Sequence, residues 1–313
     1  MEIEFSEVYQ PLFDLLEARE TVIDKSFTFN YTESEQKYWI DLSKVDTVLV
    51  SGGRDSGKSY ALSCWNPIAA KDYTHRILYT RQTMSSTDSS ITEALDNRIE
   101  MLGYGSDFIQ ANKIYSLTND KVGKIVITGQ KTSSGTQTAK LKSLEDFSVF
   151  ETDEGEELES YDGWIKVKRS MRAKDVQTLS IIVFNPPTVD HWLYSQFYEE
   201  VPAGFNGIKN KVLYIHSTYL DNGKDNMTES NWDEYEDLRK DYELFLNTKE
   251  DSKHLISRKI ESNYKEYKYK ILGGFRLKAE GVVISNWSMG AFNPNNLQVS
   301  YGQDYGFSND PTT

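Results

Sequence analysis

Short runs rich in β-branched, aliphatic and aromatic residues recur along the chain, each ended by glycine, proline or a polar turn. On this pattern residues 45–50, 75–81, Lys124–Gly129, 147–154, 178–184 and Val212–Ser217 read as strands. Stretches of helical spacing separate several of them, one running from Tyr60 to Trp65. Strands alternating with helices predict an α/β fold, a mostly parallel central sheet flanked by helices, with ligands at the carboxyl ends of the strands. From Asn222 to about residue 261 the chain turns helical and polar, with Trp232, Tyr235, Leu238, Tyr242 and Leu244 near one face. That predicts a small helical subdomain or lid. Leu12, Leu15 and Leu16 predict an N-terminal helix packed on the core. Phe27, Phe29 and Tyr31 are candidates to stack on a base, with no motif to choose among them.

The sharpest chemical signal follows the first of these strands. Gly52-Gly53-Arg54-Asp55-Ser56-Gly57-Lys58-Ser59 has the spacing G-x-x-x-x-G-K-S of a phosphate-binding loop. Glycines permit a sharp strand-to-helix turn, so that successive amide N–H groups face a phosphate. Lys58 would reach the β- and γ-phosphates, Ser59 would take a position on Mg²⁺, and the helix N-terminus would add its partial positive charge. The expected ligand is ATP. A second half of such a site needs carboxylates at the end of another buried strand, and residues 147–154 end in Glu151-Thr152-Asp153-Glu154. Asp153 is assigned to the metal and Glu154 to the attacking water, with Glu151 a rival on the metal side and a plain acidic loop the alternative.

Composition narrows the class. A chain of 313 residues allows one large α/β domain plus an appendage. Nothing reads as a membrane span, signal peptide or repeat, which predicts a soluble intracellular protein. The single cysteine, Cys64, excludes an intrachain disulfide and reads as a buried structural thiol; the four histidines lack metal-ligand spacing. A net charge of -13 argues against a surface that coats nucleic acid, though not against a local basic patch. Lys265, Lys268, Lys270, Arg276 and Lys278, interleaved with Tyr264, Tyr267, Tyr269 and Phe275, read either as a solvated face or as a DNA contact.

Several blocks then occur in a telling order. After the P-loop come Tyr79-Thr80-Arg81-Gln82-Thr83 with Ser89, Leu141-Lys142-Ser143-Leu144, and Asp153-Glu154-Gly155-Glu156-Glu157-Leu158. Phe184-Asn185-Pro186-Pro187, His191-Trp192-Leu193 and residues 216–222 follow. With this order and spacing the chain resembles the ATPase portion of the large terminase subunit, the DNA-packaging motor of tailed bacteriophages and related viruses. The resemblance implies a P-loop NTPase core of RecA/ASCE-like type over residues 1–221, a helical lid or linker over 222–295, and the start of an RNase H-like nuclease domain over 296–313. In the last, Asp304 within Tyr301-Gly302-Gln303-Asp304-Tyr305-Gly306 would be the first metal-binding aspartate, or the glycines only mark a turn. With so little of that fold present, no nuclease activity is expected.

The same resemblance implies roles for matched residues. Lys58 and Ser59 would hold the triphosphate and Mg²⁺, Asp153 the metal, and Glu154 the hydrolytic water. Arg54 would sense γ-phosphate or stabilise the transition state, or is a solvent-facing loop residue; Asn185 would couple loss of that phosphate to movement, or Asn185-Pro186-Pro187 only forms a turn. Arg81 would help bind nucleotide or DNA, or is a surface arginine. Arg169 or Arg172 would complete a neighbour's site in trans, or they form a basic helix face. Implied partners are double-stranded DNA, the portal protein, the small terminase subunit and further copies in a homo-oligomeric ring, with a monomer in solution left open. No membrane is implied; the expected place is the host cytoplasm and, transiently, the portal vertex of the procapsid. A P-loop helicase or other nucleic-acid translocase, and a nucleotide-dependent assembly module, are the alternatives.

Overall fold

Side chains of successive residues on the central strands go alternately to two apolar layers, which is why those runs carry no polar alternation. On β3 (Thr47–Gly52), Val48 and Val50 enter one layer and Leu49 the other; on β11 (Leu179–Phe184), Ile181 and Val183 oppose Ile182 and Phe184. The computed structural model describes residues 6–20, 26–29, 38–41, 44–82, 88–118, 122–132, 135–136, 146–173 and 178–277. Residues 1–278 form one compact unit and residues 279–313 a second, which lies outside the described residues together with Asp304 and Gly281.

The other strands are β1 (Ser26–Phe29), β2 (Tyr38–Asp41), β4 (Arg76–Arg81), β5 (Phe108–Ala111), β6 (Ile114–Leu117), β7 (Lys124–Gly129), β8 (Lys131–Thr132), β9 (Gly135–Thr136), β10 (Val149–Thr152), β12 (Gly207–Lys209) and β13 (Val212–Ser217). Nine of the thirteen form one sheet in the order β12-β13-β3-β11-β10-β4-β7-β6-β5. The six from β13 to β7 are mutually parallel, and β12, β6 and β5 pair antiparallel at the margins. One strand, β11, separates the P-loop strand from β10 with its acidic end.

The predicted parallel strands are all present, within two residues at their starts. The hairpin β5–β6 and the strand β12 are additions. They are short and half-exposed, so they lack an apolar run, and each hairpin turns on an Asn-Lys pair with both φ positive: Asn112 and Lys113 at 50° and 65°, Asn210 and Lys211 at 51° and 66°. Such turns usually announce themselves by Asn-Gly.

Helices α1 (Gln10–Glu20), α2 (Lys58–Lys71) and α3 (Asp88–Met101) cover one face, and α4 (Tyr161–Lys168) and α5 (Trp192–Phe197) the other. Leu12, Leu15 and Leu16 are sealed in the first layer, and the Trp65 indole N–H donates to the Leu12 carbonyl at 2.9 Å. Helix α2 runs past its predicted end through Pro67, held by the burial of Trp65, Ala69 and Ala70 on either side. Cys64 is buried and free, its thiol pushed up by desolvation.

After the short α6 (Tyr219–Asn222), α7 (Glu229–Asn247) and α8 (Arg258–Glu266) pair and lead into a π-helical turn, Tyr267–Ile271. Trp232, Tyr235, Leu238 and Tyr242 pack with Tyr219, Tyr267 and Ile271 as expected. Leu244 does not; it is 50% exposed, and the neighbouring Phe245 takes the helical step, stacking on Tyr264 at 4.1 Å. The basic run is largely compensated within its own helix: Lys265 pairs with Glu261 and Lys270 with Glu266, while Lys268 lies over two tyrosine rings. That favours the solvated face over a DNA contact.

Directly after the π-helical turn and Leu272, Gly273 has φ +70°, and a Cβ on it would sit 2.5 Å from the Gly52 carbonyl carbon. Gly103 has φ +73° with nothing within 4 Å. Gly273→Ala is therefore expected to destabilise the fold by about 2 kcal/mol or more, and Gly103→Ala by only the conformational cost of about 1 kcal/mol. Urea denaturation of the two variants measures the difference, and equal losses would count against close packing at Gly273.

Candidate active site

Strand β3 delivers the P-loop at its carboxyl end, and the loop is shaped by contacts on every side except the one facing a cleft. A Cβ on Gly53 would lie 1.7 Å from the Ile271 carbonyl oxygen, and one on Gly52 would lie 2.1 Å from that of Ser217. No side chain fits at either place. The Gly53 and Arg54 amides donate to the Ser217 and Lys270 carbonyls at 3.2 and 2.9 Å. Tyr9 from the N-terminal segment donates to the Ser56 carbonyl at 2.8 Å, and Asp55, at φ 54°, accepts from Tyr235 of α7 at 2.6 Å. Gly57 adopts φ 84° as the N-cap of α2, without a capping side chain.

Among the described residues the amides of residues 55–59 meet no acceptor. Five consecutive donors at a helix N-terminus, facing a cleft of about 820 Å³, form an anion cradle. The Lys58 ammonium is held inside the loop by the Gly52 and Gly53 carbonyls at 3.1 and 2.7 Å, by Ser56 Oγ at 3.0 Å, and by Asn185 Oδ1 at 3.2 Å. Desolvation lowers its pKa to about 8, against the pull of Glu156, Asp153 and Asp55.

Across the cleft, β10 ends in Asp153 and Glu154. Asp153 Oδ2 accepts from Tyr79 at 2.7 Å and from Arg81 Nε at 2.9 Å, and Glu154 Oε1 pairs with Arg81 Nη1 at 3.2 Å. Glu154 is held at φ 54°, a region that non-glycine residues seldom adopt and that collects at functional sites. Burial raises its carboxyl group's pKa while Arg81 opposes. Arg81 is thus neither a free surface arginine nor aimed at open solvent; it pairs with both acids. Glu151, the rival metal-side acid, does not line this cleft. It is fully buried, and desolvation raises its pKa to about 8, which favours the protonated form. Asp153 lines the cleft together with Ser59, whereas Glu151 meets them only in a smaller adjoining cavity.

A family model described as phage terminase large subunit matches residues 44–274. The chain belongs to that family. No curated protein matches it. The large terminase of a thermophilic bacteriophage shares the fold, with 13% identity over 87% of this chain and 54% of that one and a TM-score of 0.53. The same phage's large terminase in complex with ADP is 12% identical over 75% of this chain and 50% of that one, with a TM-score of 0.51. This chain therefore spans about half the length of the large terminase it matches.

Within this terminase fold, the matched residues separate into two groups. Arg54, Lys58, Ser59, Asp153, Glu154 and Asn185 meet in the one cleft. Arg54 is exposed at its mouth, and its guanidinium has no hydrogen bond or ion pair among the described residues. Arg169 and Arg172 are exposed and lie elsewhere, just after Lys168, which bonds Asp46 at 2.7 Å at the amino end of β3, the far end of the sheet from the P-loop. Phe27 and Phe29 fall on β1 with side chains outside the described residues, as Tyr31 is altogether. Tyr9, Tyr235 and Glu156 line the cleft and were not assigned to the site from the sequence. Only Glu156 carried a signal, its place in the acidic block.

Both Arg81 and Asp153 are largely buried, so removing one leaves an uncompensated charge. Arg81→Ala should cost about 3 kcal/mol of stability, and adding Asp153→Asn should restore much of it. Thermal or urea unfolding of both variants tests this; equal stability of Arg81→Ala and wild type would refute the pairing.

Proposed function

We propose that this chain is the ATP-hydrolysing part of a motor that moves double-stranded viral DNA into a procapsid. The observation that carries the reading is the convergence of the open amide cradle of residues 55–59, Lys58 and Asp153 at one end of the sheet, in a chain of the terminase family. Gly52, Gly53, Arg54, Asp55, Ser56, Gly57, Lys58 and Ser59 surround the phosphates of ATP. A large terminase of the same fold in complex with ADP is in keeping with this.

The residues present also fit Mg²⁺. The Ser59 hydroxyl and the Asp153 carboxylate are hard oxygen donors on one cleft, and no group of three or more His, Cys, Asp or Glu suited to a metal occurs among the described residues. A divalent ion would take its remaining ligands from water and phosphate, as Mg²⁺ prefers, and would neutralise charge on the phosphates. Lys58 exchanges its carbonyl partners for phosphate oxygens. Glu154, released from Arg81, polarises the attacking water. Arg54 swings onto the γ-phosphate, and Asn185 reports its loss.

We assign residues 1–221 to the ATPase core, 222–295 to a lid or linker that pivots near Gly273, Gly274 and Gly281, and 296–313, with Asp304, to the opening of a nuclease domain. Arg169 or Arg172 supplies charge to a neighbour's site in a homo-oligomeric ring. Portal protein and small terminase subunit are the docking partners, and DNA is gripped through its phosphates without regard to sequence. The host cytoplasm and the portal vertex are the places of action.

Steady-state ATP hydrolysis with and without duplex DNA, at low and high protein concentration, tests the reading. Turnover should rise with DNA or protein concentration, and Glu154→Gln should reduce it at least about 100-fold while ATPγS still binds. Binding without turnover under every condition would instead favour an assembly module. Because the Lys58 ammonium is lost as pH rises through about 8, ATPγS affinity should fall about tenfold between pH 7 and pH 9. Lys58→Arg, charged throughout, should lose that dependence; an unchanged slope would remove Lys58 from phosphate binding.

A further inference from the structure

Three carboxylates crowd the end of β10, and they turn in different directions. Asp153 and Glu154 turn toward β4, where Arg81 binds both. Glu156 turns toward β11. Its Oε1 accepts from Asn185 Nδ2 at 3.0 Å, and Asn185 Oδ1 accepts from Lys58 Nζ at 3.2 Å. A line of three side chains therefore runs from the phosphate-binding lysine to a carboxylate outside the metal-side pair.

Elementary chemistry fixes the direction of that line. An ammonium only donates and a carboxylate only accepts, so the Asn185 amide has one satisfied orientation. Reversed, it would set its NH₂ against the ammonium and its carbonyl against the carboxylate. The backbone fixes the place of Glu156 as well, because a Cβ on Gly155 would lie 2.3 Å from Ile182 Cγ2 and glycine alone lets the chain fold over β11 there. Glu156 Oε2 is sealed from solvent and meets no donor at bonding geometry; burial raises the pKa of the carboxyl group, opposed by the nearby Glu156 and Asn185 amides and the Asn185 side chain. The carboxylate thus contacts the reaction end of the cleft through Asn185.

We propose that Glu156 is a positioning residue for turnover: it holds the Asn185 NH₂, so that the Asn185 carbonyl keeps facing the γ-phosphate end after Lys58 departs for the phosphates. That carbonyl then accepts a hydrogen of the attacking water. Without Glu156, Asn185 is free to turn its NH₂ onto the γ-phosphate, which favours binding and not attack. The inference rests on the ATPase reading above.

Its test is kcat and ATPγS affinity for wild type, Glu156→Gln, Glu156→Leu, Asn185→Ala and the Leu/Ala double variant. Glu156→Leu should lower kcat about tenfold or more with ATPγS affinity kept within about threefold or tightened. Glu156→Gln retains an acceptor and should stay within about threefold of wild type. The double variant should be no slower than Asn185→Ala alone. A wild-type rate in Glu156→Leu, a Glu156→Gln as slow as Glu156→Leu, or multiplied losses in the double variant would each overturn the proposal. Should Glu156→Leu fail to fold, Glu156→Ala carries the same expectations. Melting temperatures of the same ligand-free set read the contact whether or not the protein turns over. Non-additive shifts support the contact and additive shifts overturn it, so failure of the ATPase reading stays distinguishable from failure of the relay.

Discussion

The structure around the P-loop answers one constraint: a row of backbone donors at residues 55–59 must stay unpaired and yet be held still. Unpaired amides ordinarily cost free energy when removed from water, so they persist only where the surrounding chain fixes them and leaves one side open. Here the fixing groups come from the whole length of the unit. Tyr9 comes from the N-terminal segment, Ser217 ends the neighbouring parallel strand, and Lys270, Ile271 and Gly273 arrive from the far end of the helical pair. The glycines at 52, 53 and 273 are where three stretches of backbone touch with no room for a side chain.

The second demand is electrostatic. A site for a polyphosphate and a divalent ion needs both signs of charge at close quarters, and without ligands these charges must find partners in the protein. Lys58 rests on loop carbonyls and Asn185, while Arg81 satisfies Asp153 and Glu154. On the proposed function, nucleotide binding is an exchange of partners, with Lys58 passing from carbonyls to phosphate oxygens. The acid that has no cationic partner, Glu151, lies in the core, where burial favours its protonated form. Just past the end of β11, between the two charged strands, Asn185 accepts from Lys58 on one side and donates to Glu156 on the other.

Where the sequence was informative, a single physical cause acted along a short stretch. Strands buried on both faces are dominated by apolar residues, so β3, β4, β10, β11 and β13 stood out, and β7, buried at alternate positions, carries the same kind of β-branched run. The margins did not, because β5, β6 and β12 are half-exposed and turn on Asn-Lys. On α7 the helical stripe was legible as far as Tyr242 and then slipped by one residue, since adjacent Leu244 and Phe245 are equally apolar and only the position of Tyr264 chooses between them. The basic run beyond Tyr264 was ambiguous for the same reason. Whether a lysine is spare depends on Glu261 and Glu266 one turn away being oriented to meet it.

By itself the sequence determined the parallel α/β architecture, the glycine-rich loop after β3 and the presence of acids at the end of β10, though not which of them lines the cleft, because each is specified by residue types within a few positions of one another. The tertiary structure alone decided the partnerships: Arg81 with both acids, Tyr235 with Asp55, Tyr9 with Ser56, and Glu156 with Asn185 and thence Lys58. Those contacts join residues up to 180 positions apart. They arise from the order in which the strands lie side by side, and a one-dimensional pattern carries the composition of a strand but not the identity of its neighbour.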